Sequence, residues 1–228
     1  MSQPGFVTSR ATPGFEARGL SRRTRVVWGS LLGAMLGVGG LMWGLQGGPA
    51  PRVDGITLTP LAAASAPSSI EAVMRTRADL DERRWQSIVI HHSGSLSGSA
   101  ASIADEHRSM NLNGLGYHFV IGNGRGAGDG AIHVGYRWLD QLPGAHAAGE
   151  RGDHFNRHGI GVCLVGDGNR RGYTDLQLRR LSELVRTLAE SLDIPEDQIV
   201  LHSDIAPARA PGRLFPEATF RERLGELR

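Results

Sequence analysis

Ser87-Ile88-Val89-Ile90-His91-His92 is the stretch on which the fold turns. A run of β-branched residues this short reads as a buried strand, and this one ends in a histidine pair. Neighbouring strand residues point to opposite faces, so only one of His91 and His92 can serve a site on a given face. A second strand-like run, Val200-Leu201-His202-Ser203-Asp204, delivers another histidine to a loop. Two histidines at strand ends are weak evidence for a metal by themselves, because a zinc hydrolase needs three protein ligands and an open position for water. The loop beyond His202, from Ile205 to Gly212, offers no Cys, His or carboxylate.

Outward from these runs, strands alternate with helices. Ser99 to about Met110 predicts a helix, and Gly116–Gly122 and Ala131–Val134 predict strands around the Gly-rich turn at 123–130. Gly159–Gly166 reads as another buried strand. Thr174 opens a helix in which Gln177 completes a capping box. Leu178, Leu181, Leu184, Val185, Leu188 and Leu192 form its apolar stripe. Gln198–His202 predicts the last strand, and Pro216 to about Leu227 a closing helix. Strands and helices mixed on this scale imply an α/β domain with a central sheet.

Cys163, the only cysteine, excludes an intramolecular disulfide. On a buried strand it reads as a small hydrophobic residue, and a strand flip would be needed to bring it to a site beside His91. All nine histidines lie between 91 and 202. His107 reads as a helix-surface histidine, while His133, His154 and His158 have no partner legible in sequence.

All 25 basic residues are Arg. Five of them (Arg10, Arg18, Arg22, Arg23 and Arg25) fall in the first 25 residues against the single acid Glu16, so the basic excess belongs to this tail. The rest of the chain is slightly acidic, which is no footprint for nucleic acid. Residues 1–25 read as a disordered basic tail on the cytoplasmic side. Val26 to Leu45 carries no charge and is long enough as a helix to cross a bilayer. Trp28 and Trp43 stand near its ends, and the preceding arginines orient it with the C-terminal part outside the inner membrane.

A cleaved signal peptide is the competing reading, but its Ala-Ser-Ala at 64–66 lies well past the apolar run. A single-pass anchor in the inner membrane, with the domain in the periplasm or cell envelope, is the expectation. Gly29, Gly33 and Gly37 share the four-residue spacing that lets helices approach closely, so a homodimer through the anchor is a further expectation. Residues 46–84 read as a linker followed by a short lead-in helix from Ile70, and residues 85–228 as the folded domain.

The words of the domain form an ordered set. Trp85 to Ser93 is followed by Leu115-Gly116-Tyr117-His118-Phe119-Val120-Ile121, then Gly144-Ala145-His146-Ala147 and Asn156. Next come Gly159-Ile160-Gly161-Val162-Cys163-Leu164-Val165-Gly166-Asp167, His202-Ser203-Asp204-Ile205-Ala206-Pro207, and Pro211-Gly212. In this order the set resembles the type-2 N-acetylmuramoyl-L-alanine amidases, the superfamily that includes the peptidoglycan recognition proteins and T7-type lysozyme.

The resemblance covers about Trp85 to Leu227. It implies a mixed central β-sheet flanked by helices, with a groove that binds peptidoglycan or muropeptides. It also implies zinc, held by His91 and His202, and a Tyr117 that helps polarise the scissile carbonyl between the lactyl group of N-acetylmuramic acid and L-alanine. Zinc-water would then attack that carbonyl.

Against the family pattern, Ala210 stands where the third ligand, a Cys or Asp, precedes Pro-Gly, and Ala208 stands where many active members carry Lys or Thr. The loss at Ala210 argues against retention of zinc and of hydrolysis, which leaves recognition as the leading expectation and an active zinc amidase as its rival. Asp204 is the nearest substitute ligand to His202. His118, Asn156 and Arg209 are the candidate substrate contacts, Arg209 through a carboxylate of the stem peptide.

Overall fold

The structure, a computed structural model, describes residues 55–58 and 70–225. The basic tail and the apolar segment at 26–45 lie outside the described residues. Among the described residues no helix is long and apolar enough to cross a membrane.

The run Ser87–His92 forms strand β2 at the interior of a six-stranded sheet. The other strands are β1 (Gly55–Leu58), β3 (Phe119–Ile121), β4 (Ile132–Gly135), β5 (Gly159–Leu164) and β6 (Ile199–Leu201). Their spatial order is β1-β4-β3-β5-β2-β6. β2 pairs in parallel with both β5 and β6, and β5 in parallel with β3. β4 runs antiparallel to β3 and β1. The sheet is mixed, with its parallel strands at the centre and one antiparallel edge.

Strand alternation sorts side chains onto two faces. Ile88 and Ile90 of β2 and Ile160, Val162 and Leu164 of β5 point to the larger core. That face is covered by helix α4 (Asp175–Leu192), whose Leu181, Leu184, Val185 and Leu188 are fully buried. Thr174 caps α4 by accepting from the Gln177 amide at 3.0 Å. The Gln177 side chain, 1 % exposed, then donates to the carbonyls of Ile121 and Val165, so the capping residue also joins the helix to the sheet. The C-terminal helix adds Phe220 and Leu224 to the same core.

The opposite face carries a smaller cluster. Helix α1 (Ala100–Ser109), capped by Ser99, packs Ala100, Ile103 and Ala104 against Leu115, Val120, Cys163 and Val165. Three further helices, α2 (Tyr136–Leu139), α3 (Gly152–His158) and the single turn α5 (His202–Ile205), punctuate the loops, and α6 (Glu217–Gly225) closes the chain.

Three sequence expectations need correction. Part of the expected linker, residues 55–58, is strand β1, whose Gly55 sits where a Cβ would fall 2.2 Å from the Val134 carbonyl oxygen. The expected lead-in helix is two 3-10 turns, Glu71–Met74 and Glu82–Arg84, and Ile70 and Val73 are already buried in the core. The last strand stops at Leu201, and His202 opens α5 instead of ending β6. The Asp204 carboxylate accepts the Leu201 amide at 2.8 Å and so turns the chain there.

Candidate functional site

His91 is placed by β2 and His202 by the end of β6, two strands that pair directly. Their rings meet with centroids 4.3 Å apart. Tyr117, partly buried just before β3, lies 5.1 Å from His91 by ring centroid. His92 points away, and its Nδ1 accepts the Gly168 amide at 3.0 Å. It braces the loop behind the site, where Gly212, at φ +100°, leaves no room for a side chain against Gly168.

A residue without an assigned role in the sequence reading completes the cluster. His146, 8 % exposed, stands with its Nδ1 3.1 Å from His91 Nε2 and its Nε2 3.2 Å from the Gly159 carbonyl. Strand β5 makes this placement. Gly159, Gly161 and Cys163 alternate with the large residues facing α4, so the strand presents almost no side-chain bulk on the site face. His146 fills that row: a Cβ on Gly161 would stand 2.5 Å from its Cδ2. The alternation of small residues at 159, 161 and 163 was the signal in the sequence that a bulky group from elsewhere covers this strand.

Asn156 on α3 holds the loop that carries His146. Its Oδ1 accepts from the amides of His146 (2.8 Å) and Ala147 (3.0 Å), and its Nδ2 donates to the Ala147 carbonyl (2.8 Å). This departs from the expectation of a substrate contact, because Oδ1 and one Nδ2–H are engaged by the loop. His118 is corrected likewise. It is fully buried, its Nδ1 accepts the Gly161 amide, and its Nε2 faces the Leu142 carbonyl at 3.2 Å. His107, expected on the helix surface, is half-buried and its Nδ1 accepts the Gly116 amide at 2.8 Å.

Cys163 requires no strand flip. It is the register partner of His91 in parallel pairing, so both side chains share the site face. Its buried thiol interacts with the Tyr117 hydroxyl, and burial pushes the thiol well above its ordinary pKa. Tyr117 is likewise held protonated, first by burial and then by Cys163.

The electrostatics of the cluster follow from burial. His91 is held far below the usual histidine range by desolvation and then by repulsion from His146 and His202. His146 falls to about 4, again chiefly by desolvation, and His202 is lowered by desolvation and by His92. At neutral pH the three rings are uncharged imidazoles with lone pairs to offer.

Whether they suit zinc is a question of donor count. The Nε2 of His202 is buried and makes no hydrogen bond, which is the condition of a nitrogen awaiting a ligand. Ala210, however, presents a buried methyl group. Asp204 is exposed and its Oδ2 is engaged by Leu201. Among the described residues no three His, Cys, Asp or Glu side chains are placed to hold a metal ion. The residues do not make a centre of three protein ligands and one open position.

Arg209 projects, exposed, from the loop after α5, and its carbonyl accepts from Asn169 Nδ2 at 3.1 Å. Beside it lies a hollow of about 490 Å³ lined by Ser203, Arg213, Phe215 and Glu217 among others. A cation at the rim of such a hollow can pair with a ligand carboxylate.

A family model described as N-acetylmuramoyl-L-alanine amidase matches residues 81–213. The endolysin of Enterobacteria phage T3 is 30% identical over 135 residues, spanning 55% of this chain and 80% of the phage protein. Among solved structures, the N-acetylmuramoyl-L-alanine amidase LysC from Clostridium intestinale URNW is 25% identical with a TM-score of 0.49, covering 66% of this chain and 92% of that one. Drosophila PGRP-LB is 24% identical with a TM-score of 0.47, covering 60% of this chain and 82% of that one. With more than half its length matched by that model, the chain belongs to the N-acetylmuramoyl-L-alanine amidase family.

Proposed function

We propose that this chain recognises muropeptides through the groove around His91, His202 and Tyr117, and that metal-dependent hydrolysis is lost or strongly reduced. The observation that carries the reading is the buried methyl of Ala210, whose carbonyl accepts the amide of Ser203 next to His202. Tyr117 keeps its proton and offers an O–H donor. His91 and His202 offer neutral imidazoles, and Arg209 a cation for a stem-peptide carboxylate. We further read residues 26–45 as a single-pass anchor in the inner membrane that leaves the domain in the cell envelope, and its glycines as a surface on which two copies could pair.

One observation favours a second reading, an active zinc amidase cleaving the bond between N-acetylmuramic acid and L-alanine. It is the buried His202 Nε2 without a partner, next to His91. One experiment separates the two. The full-length chain is incubated with purified muropeptides with and without added zinc, and both binding and release of stem peptide are measured, with His91→Ala as control. Binding without release supports recognition. Zinc-dependent release that disappears in His91→Ala overturns it.

A further inference from the structure

We infer that the hollow beside Arg209 is a site for a phosphate monoester, held between Arg209 and Arg213. Both arginines stand in the stretch between α5 and α6, and both are exposed. Among the described residues Arg77, Arg108, Arg157, Arg180 and Arg221 each reach a carboxylate at 2.7 to 3.2 Å, and neither Arg209 nor Arg213 enters any of these pairs. Glu217 is the one acid among the described residues lining the hollow, and its carboxylate is taken by Arg221 at 3.2 Å. The hollow is thus lined by two positive charges and by a carboxylate that is already matched.

The loop that carries the two arginines is braced. Asn169 Nδ2 donates to the Arg209 carbonyl at 3.1 Å and its Oδ1 accepts the Arg213 amide at 3.4 Å, so one side chain spaces the two backbones. Tyr173 Oη donates to the Pro211 carbonyl at 2.6 Å, and the Leu214 amide to the Gly168 carbonyl at 2.9 Å. A carboxylate brings one negative charge and answers one guanidinium. A phosphate monoester brings about −1.5 to −2 at neutral pH and three acceptor oxygens, enough for two planar forks. Ser203, exposed at the same hollow, offers a hydroxyl besides. At about 490 Å³ the space exceeds what a bare anion fills and leaves room for the group that bears it. Arg170 and Arg171, next along the chain from Asn169, add to the positive field there. Arg209 alone is common to this site and to the groove, and the inference does not need the groove to bind muropeptides.

The test is calorimetry of the full-length chain at constant ionic strength and neutral pH, with inorganic phosphate, glucose 6-phosphate, a soluble short-chain phosphatidate and acetate as the probes. Phosphate should bind with a saturable isotherm and acetate much more weakly. Arg209→Gln and Arg213→Gln should each weaken phosphate binding by about fivefold, and the double variant should abolish it. Arg83→Gln, at an exposed arginine in the 3-10 turn before β2, should leave it unchanged. Glucose 6-phosphate bound more tightly than the phosphatidate supports the site and assigns its phosphate to a sugar, and the reverse order assigns it to a lipid headgroup. Inorganic phosphate bound with neither ester overturns the inference. So does acetate bound as tightly as phosphate, an Arg213→Gln variant that binds like wild type, or an equal loss in Arg83→Gln. No arm contains a muropeptide, so the site can fail while the functional reading stands, and the reverse.

Discussion

Asn156→Ala should be among the most costly substitutions of a partly exposed residue in this domain. The side chain makes three hydrogen bonds at 2.8, 3.0 and 2.8 Å, all to backbone groups of His146 and Ala147. At a net value of about 1 kcal/mol each, their loss amounts to roughly 3 kcal/mol. For a domain of this size that is a fall of about 6 to 12 °C in Tm. Asn156→Asp is the sharper comparison. It keeps the acceptor for both amides and makes those bonds charge-assisted, but sets a carboxylate oxygen against the Ala147 carbonyl. Its expected loss is about half that of the alanine variant. Urea unfolding followed by the fluorescence of buried Trp85 and Trp138 measures both. An alanine variant within about 1 kcal/mol of wild type would refute the account of Asn156 as the clamp of this loop. So would an aspartate variant as unstable as the alanine one.

The remaining predictions concern the site, the sheet and the core. Ala210→Cys should confer zinc binding that the parent lacks, measured by competition with a chromogenic chelator, and equal uptake by both would refute the donor count. Arg209→Ala should weaken muropeptide binding by about fivefold or less, the worth of an exposed ion pair, read by calorimetry. Burial lowers the His133 pKa to about 4, while the unfolded chain titrates near about 6.5. Between those values the unfolded state holds the extra proton. Stability should therefore fall as pH drops from about 6.5 to about 4, by up to about 3 kcal/mol from this group, and His133→Gln should flatten the urea midpoint over that window. Leu184→Ala, at a fully buried position under the sheet, should cost about 2 to 5 kcal/mol in the same urea assay.

The parts of this fold legible in sequence are those where local pattern and tertiary environment demand the same residues. β2 and β5 show it in their alternating apolar positions, and α4 shows it in the Thr174–Gln177 box and leucine stripe. β1 escaped notice because a Gly-Ile-Thr-Leu edge strand takes its pairing from β4 rather than from its own composition. In the site, His91 and His202 stood out at strand ends, but His146 did not. Its role arises from a slot of glycines on another strand and from a clamp on another helix. Asn156 and His118 were misread for the converse reason. Polar residues beside a groove suggest ligand contacts, yet here the neighbouring backbone groups claim them first.

The loop carrying His146 differs from ordinary connections in how it should open. Four consecutive amides, Gly144 to Ala147, are all bonded, to Asn156 O, Gly116 O and Asn156 Oδ1. Solvent exchange at Gly144, His146 and Ala147 then requires α3 to move away, so their protons should persist as long as those of the central strands rather than wash out with the surface loops. A ligand entering the groove meets a wall on this side that does not breathe. Any adaptation to its shape must come from elsewhere in the groove.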